Sequence, residues 1–362
     1  MDGNGAGVPG RGVSGDLQVY DALTPPVDLR TLDELTELDR RIIVALQQNG
    51  RASWTSIAEL IGSSVPTVTR RGQQLINDGV VKITVMPTPG SFGQVDTFVV
   101  RVNCKPGTQL EVARALVSRP DVRFLSLVTG KYDILAEIMV RGGASHYPDL
   151  ISPLQSIDGI ERWRSDLLLH VYKVSHDWSR QLLAERLALV GDPPLPAEPA
   201  DCSPEHFDEV DWQILAALQQ DGRTTFKAIA AVLGMNESSV RRRFERLRQN
   251  RCVDVITLVP ATALGMGAET LITVKVRPGY LDGVVAGLIP HTSVRYLAAT
   301  LDQNSLFCEV IAGSTEELHR FINETLSHLA GVEGWEASME LLNPKRGFVE
   351  TPWWRTQLRP VS

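Results

Sequence analysis

The most constraining feature of this chain is that it repeats itself. Gly50-Arg51 returns as Gly222-Arg223, Ile57-Ala58 as Ile229-Ala230 and Pro106-Gly107 as Pro278-Gly279, all at one offset (222 − 50 = 172). Gly62, Val68, Leu75, Gly93, Glu137 and Gly159 recur in the same register as Gly234, Val240, Leu247, Gly265, Glu309 and Gly331. Solenoid repeats run to roughly 20–50 residues, so a period this long is a duplicated domain pair. The problem reduces to what one unit is and how its two copies differ.

Each unit opens with apolar residues at helical spacing. Leu35, Leu38, Ile42, Ile43 and Leu46 share one face of a predicted helix over 34–48, which Gly50 ends. Ser53 can cap a short second helix closed by Gly62. A third starts at Ser64, tolerates Pro66 in its first turn, turns Val68 and Leu75 inward and stops at Gly79. Residues 80–86 then alternate as a strand. The second copy predicts helices over 208–220 and 225–233, then a third behind Asn236 with Val240, Phe244 and Leu247 inward. Three short helices, a tight glycine turn and a following strand describe a winged helix-turn-helix.

If Val240, Phe244 and Leu247 face the core, Ser238, Arg242, Arg246 and their neighbours face away. Side chains of these types bond base edges and phosphates in a major groove. The candidate DNA contacts are Thr67, Arg70, Arg71, Gln73 and Gln74 in the first head. In the second they are Ser238, Ser239, Arg241, Arg242, Arg243 and Arg246. The net charge of −7 argues against nucleic acid, but its distribution matters more. Residues 236–251 hold six arginines against two glutamates, whereas 64–79 hold two against one aspartate. The heads are therefore unequal. Gly72 in place of Phe244 leaves a core contact unfilled, and Arg251 stands where Gly79 ends the first helix, with Asn250 the expected left-handed residue.

Behind each head the pattern reads strand, helix, strand, strand, helix, strand, the ferredoxin-like split motif. The fold class is α+β: two tandem units, each a winged helix-turn-helix followed by a βαββαβ domain. The expected division is a disordered tail over 1–32, heads over 33–88 and 207–260, βαββαβ domains over 92–174 and 264–346, a helix and Pro-rich linker over 175–206, and an arm over 347–362. Ser314 and Glu317 form a capping box for the last helix. Trp178-x-x-Gln181-Leu182 is echoed by Trp354-x-x-Gln357-Leu358 as a shared arm.

The remaining composition excludes several classes. No run of about 18 apolar residues could span a bilayer, so no membrane partner is expected. Cys104, Cys202, Cys252 and Cys308 are scattered without a CxxC pair, which fits a reduced setting and cysteine as a small hydrophobe. The seven histidines form no metal-binding pattern, and no nucleophile elbow or phosphate loop occurs. No catalytic residue, metal or cofactor is expected.

The runs LDRRIIVALQQNGR…IAELIG and VDWQILAALQQDGR…IAAVLG, with TVTRR…DGVV and VTGKYDILAEI, resemble the leucine-responsive and asparagine regulator (Lrp/AsnC) family over about residues 33–174 and 207–346. The resemblance implies a cytoplasmic, nucleoid-associated regulator of bacterial type. Its partners would be double-stranded DNA and a small-molecule effector, an amino acid by family precedent. Family members dimerise through these domains; the two here are expected to pair within the chain as a pseudo-dimer, with further homo-oligomerisation to cover exposed sheet edges. The family's effector loop stands as Thr129, Gly130, Lys131, Tyr132 and Asp133, whereas the second unit has Leu301-Asp302-Gln303-Asn304-Ser305. Asp133 could receive an ammonium group and the N–H groups around Gly130 a carboxylate. Two other readings remain open. One is a sensing or assembly protein whose heads have lost DNA. The other is an enzyme like the sirohaem decarboxylases, although residues 83–100 lack the His and Arg that branch places there.

Overall fold

A computed structural model of the chain describes residues 35–176, 178–179, 202–302 and 304–354. The expected tail over 1–32, most of the linker, and the Gln181-Leu182 and Gln357-Leu358 halves of the echoed motif lie outside the described residues.

The first head consists of α1 (Glu37–Gln48), α2 (Trp54–Ile61) and α3 (Val65–Asn77), leading into β1 (Lys82–Pro87). The second consists of α6 (Glu209–Gln220), α7 (Phe226–Leu233) and α8 (Glu237–Gln249), leading into β6 (Val253–Leu258). Local chemistry sets the boundaries. Thr36 and Asp39 close a capping box on α1, as Asp208 and Asp211 do on α6. Ser53, Ser64 and Thr225 each cap the following helix, and Gly62 and Gly234 end α2 and α7 in the left-handed conformation.

The wings do not stay with their own heads. β1 and β6 pair with each other antiparallel, Lys82 opposite Leu258 and Pro87 opposite Val253. The dipeptides that opened the repeat lie at this joint. A Cβ on Gly50 would come within 2.9 Å of Ile83, and one on Gly222 within 2.9 Å of the Ile83 and Thr84 backbone, so only glycine allows the approach. Arg51 then reaches the Gly222 carbonyl and, at 3.2 Å, that of Thr224, while Arg223 reaches Gly50 O at 2.7 Å and Ala52 O at 2.9 Å. Each guanidinium also lies over an aromatic ring of the opposite head, Arg51 over Phe226 and Arg223 over Trp54.

The strands behind the first head are β2 (Val95–Cys104), β3 (Val122–Val128), β4 (Ile134–Arg141) and β5 (Ile160–Val174), with α4 (Gln109–Val117) and α5 (Pro148–Ser156). Those behind the second are β7 (Ala268–Val276), β8 (Val294–Thr300), β9 (Ser305–Ala312) and β10 (Val332–Arg346), with α9 (Leu281–Leu288) and α10 (Thr315–Arg320). A short β11 (Val349–Glu350) folds back on β10. The two long strands are shared. β5 pairs with β2 through Leu167 and with β8 from Leu168 onward; β10 pairs with β7 through Met339 and with β3 from Glu340 onward. The order β10-β3-β4-β2-β5-β8-β9-β7, with β7 back on β10, is a closed ring. Helices cover each half's outer face, and Val99, Phe124, Leu271, Tyr296 and Phe307 fill the space between the halves.

Several expectations need correction. Among the described residues the ring pairs β7 with β10, so the outer strands of the two βαββαβ domains, expected to be exposed edges, cover each other within the chain. The space opposite Gly72 is filled by Trp54, whose ring lies 2.4 Å from where a Cβ would stand; the second copy reverses the sizes with Phe226 and Phe244. Arg251 itself takes the left-handed conformation (φ 51°), and Asn250 does not. Ser314 caps α10, but Glu317 bonds the N–H of Gly313 rather than closing the box. The last helix breaks after Arg320 into a wider turn over Phe321–Thr325 and a tight one over Leu326–His328. Cys202 and Cys252 are not scattered: they meet as a disulfide, Cα atoms 5.0 Å apart. Trp178 and Trp354 are both buried, the first in the core of the first head and the second against α4 and its sheet.

The Trp54–Gly72 fit predicts that Gly72→Ala destabilises by about 1–3 kcal/mol through overpacking. Adding Trp54→Phe should recover most of that loss in denaturant unfolding, and additive effects would show that the two residues do not share the space.

Candidate nucleic-acid interface

α3 and α8 present the faces that the sequence assigns to DNA. On α3, Arg70, Gln73 and Gln74 are exposed, Thr67 and Arg71 half-buried. On α8, Ser238, Arg241, Arg242 and Arg246 are exposed, Ser239 and Arg243 half-buried. The outer face of α3 lines an open concavity with Val65, Pro66, Thr69 and Asn77.

The arginines fall into two groups. Arg71 donates from Nε to Asp39 Oδ1 at 2.8 Å and from Nη2 to the other oxygen. The equivalent Arg243 bonds Asp211 Oδ1 at 3.0 Å and Asp208 Oδ2 at 2.6 Å. Both aspartates are fully buried and cap the first helix of their head, so each pair ties recognition helix to opening helix. Burial pushes the Asp39 carboxyl up, but Arg71 and Thr36 outweigh it and hold it below its ordinary value. Arg246 joins Asp211 at 2.5 Å and the His206 carbonyl at 3.0 Å. Arg241 bonds Glu237 one turn back at 2.7 Å. Arg70 and Arg242 have no such partner among the described residues and project freely.

The effector-loop residues lie together at a different place. Thr129 N donates to Met339 O at 2.9 Å and its Oγ1 accepts from Met339 N at 3.0 Å, so β10 of the other half clamps the loop. Leu301 N donates to Leu167 O at 2.8 Å in the equivalent clamp of the second loop. Gly130 has φ +95° and is exposed, whereas the second loop has Asn304 at φ 57° and Leu301 largely exposed. Lys131 reaches Glu336 at 3.2 Å and lies over the Tyr132 ring. Asp133 Oδ2 accepts the Cys104 N–H at 2.8 Å.

Sequence reasoning missed a third feature. Where the strand ring meets the paired wings, Met86, Ile256 and Leu258 line a half-open cavity of about 60 Å³ over a buried ionic cluster. Its base is pseudo-symmetric: Arg123 pairs with Glu137, and Arg295 with Glu309 at 3.2 Å. Arg346, where the first unit has Val174, breaks the symmetry by reaching Glu309 at 2.8 Å, Glu269 at 3.2 Å and Glu340 at 3.3 Å. The recurrence of Glu137 as Glu309 was visible; its arginine partners lie fourteen residues upstream in each copy and could have been matched the same way. Burial pushes the Glu309 carboxyl up, yet Arg295 and Arg346 outweigh it and hold it down at about 2. Burial and then Glu309 push Glu340 well above the ordinary carboxylate range. A raised folded value stabilises fully below the unfolded value, about 4.3, and that contribution is lost as pH rises through the folded value. Glu340→Gln is therefore expected to flatten the fall of Tm with rising pH. Parallel curves for variant and parent would remove Glu340 from that role.

Comparison with known proteins agrees with this geometry. The model of the AsnC-type helix-turn-helix domain matches residues 35–76 and again 207–248, and that of the Lrp/AsnC ligand binding domain matches 97–178. An uncharacterized HTH-type transcriptional regulator of Pyrococcus furiosus is 31% identical over 140 residues, 38% of this chain and 95% of that protein. The HTH-type transcriptional regulator AldR of Mycolicibacterium smegmatis is 28% identical over 151 residues, 40% of this chain and 86% of that protein. Among solved structures, the siroheme decarboxylase NirDL superposes with a TM-score of 0.55 at 14% identity, covering 89% of this chain and 96% of that one. At that identity the likeness shows a shared layout.

Proposed function

Since the chain belongs to the Lrp/AsnC family of helix-turn-helix regulators, we propose that it is a sequence-specific DNA-binding transcriptional regulator responsive to an amino acid or similar small metabolite. The observation that carries this reading is the joint between the heads. The β1–β6 pairing and the reciprocal Arg51 and Arg223 bonds fix two recognition helices in one body, as a dimeric repressor fixes its own across two half-sites. Because α3 and α8 differ in sequence, the half-sites differ too, and the target is not a palindrome.

The heads, over 33–88 and 207–260, divide their arginines between structure and contact. Arg71, Arg243 and Arg246 are bound within the protein; Arg70 and Arg242 are the side chains available to DNA. The first βαββαβ domain, over 92–174, is the effector-binding one, because its loop retains Gly130 and Tyr132 beside Asp133. Its place of action is the cytoplasm, on the nucleoid; no described helix is long and apolar enough to cross a membrane. Relatives occur in both an archaeon and a bacterium, so the bacterial origin expected from the sequence has no support of its own.

A decarboxylase acting on a tetrapyrrole draws on the whole-chain likeness to NirDL. It needs room for a macrocycle, which the cavity of about 60 Å³ over the ionic cluster does not offer, since small-molecule sites run to roughly 300–1,000 Å³. An absorption band appearing on incubation with an iron porphyrin would favour that reading. The bound arginines favour a protein whose heads have left DNA, and the absence of salt-dependent DNA binding would establish it.

Binding to its own upstream DNA should fall steeply with salt through counterion release. Arg242→Ala should weaken it by about 1–3 kcal/mol if the side chain reads a base, or lower the salt slope by about 1 if it meets a phosphate. A salt-independent affinity unchanged in the Arg70→Ala, Arg242→Ala double variant would sink the DNA reading.

For the effector, one amino acid from a panel should raise Tm by mass action. Asp133→Asn keeps the bond from Cys104 and removes the charge, so it should lose that rise while the unliganded Tm stays near the parent's. A full rise in the variant would place the ligand elsewhere.

A further inference from the structure

Outside the recognition faces and the effector loop, one cluster of reactive side chains is unassigned. Cys202 and Cys252 are joined, and His206 Nδ1 lies 3.2 Å from the Cys252 sulfur. Cys252 lies three residues past the end of α8 and is fully buried; Cys202 is half-buried on the segment that enters the second head. The segment is wedged. A Cβ on Gly90 would lie 2.6 Å from the Cys202 carbonyl, and Phe92 stacks on Trp212, which stacks on Phe207. Across it runs the bond from Arg246 to the His206 carbonyl. The first head has no equivalent, since Val80 stands at the position of Cys252.

We propose that Cys202 and Cys252 form a reversible, peroxide-responsive disulfide that controls the second recognition helix by holding or releasing Arg246. The inference rests on the DNA-binding reading for its consequence, though not for its chemistry. An imidazole against a thiol can accept its proton and leave the thiolate, the species that attacks an oxidant. A hydroperoxide transfers its terminal oxygen to one thiolate, breaking the O–O bond and releasing an alcohol or water, to give a sulfenic acid. The other sulfur attacks that sulfur; the S–S bond forms, the S–O bond breaks, and hydroxide leaves as water with the second proton. Two thiols lose two electrons and two protons, and the peroxide is reduced.

The other two cysteines provide an internal contrast. Cys104 and Cys308 are buried without a basic partner, and burial, aided by Asp133 and Glu309 respectively, pushes their thiols up to about 11 and about 12. They stay protonated and unreactive under conditions that convert the pair. Once the bond is reduced, the 202–206 segment keeps only its packing, the His206–Cys252 contact and the bond from Arg246. Its carbonyl can leave Arg246, which then has Asp211 as its one partner and can swing to a phosphate. The oxidised chain should bind DNA more weakly than the reduced one.

The test uses the full chain with hydrogen peroxide as oxidant and a small thiol as reductant. Thiol labelling in the reduced state should modify two cysteines of four, and peroxide should abolish both labels reversibly, with the 202–252 linkage recovered by mass spectrometry. Cys202→Ser should prevent that linkage. Reduction should raise DNA affinity and steepen the salt slope by about 1, and Arg246→Ala should bind equally in both states. Absence of the linkage after peroxide, or one tightly held zinc ion per chain protecting the thiols, would overturn the disulfide. Equal affinities of the two redox forms, with the thiols fully converted, would overturn the switch. Failure to bind DNA in either form would instead defeat the regulator reading, and the labelling result would still decide the chemistry.

Discussion

The rest of the molecule depends on the sharing of two strands. β5 and β10 are 15 residues each, well over twice the mean strand. Each spends its first half in the sheet of its own unit and its second half in the other's. Hydrogen bonding in an antiparallel ladder is satisfied by whichever strand is adjacent, so a strand that outruns its own sheet extends the next. Doing this twice closes the ring and buries a core between the halves. It also brings each effector-type loop under the strand of the opposite unit. The same exchange recurs in the heads, where each wing finds its partner in the other copy.

Within that pseudo-symmetric frame, the two copies depart from each other at particular positions. Arg346 for Val174 draws three glutamates around one guanidinium. Trp54 with Gly72 and Phe226 with Phe244 fill one volume in two ways, which keeps both heads packed while their outer faces diverge. Cys252 for Val80 gives one head a chemistry the other lacks. The glycine turn at Gly130 is replaced at Asp302, so the two loops differ in backbone.

Much of this architecture was legible in the residues. Helical spacing, caps and glycine stops placed the helices of each head within a few residues, because those signals are local. The order of strands was legible too, since alternation is local. What failed was everything set by the partner of an element. Alternation cannot say that β1 pairs with β6, or that β5 changes sheets at Leu168. Gly72 read as a defect because Trp54 lies eighteen positions away in sequence. A helical wheel shows which way Arg71, Arg243 and Arg246 leave α3 and α8. It does not show that a buried aspartate from another helix waits there. The two cysteines, fifty residues apart, carried no spacing signal at all. The Gly-Arg dipeptides are the instructive case: they announced the repeat, yet their purpose is to join its copies.

The shared strands also impose an order on synthesis. When β1 and β3 leave the ribosome, their partners at Val253–Leu258 and Glu340–Lys345 have not been made. The N-terminal half must wait with unpaired backbone edges until nearly the whole chain has emerged. Such contacts, distant along the chain, slow folding and expose edges to other nascent chains. Fusing two units thus makes the pairing of the two halves independent of concentration, but it makes the first half dependent on β10, the last long strand translated.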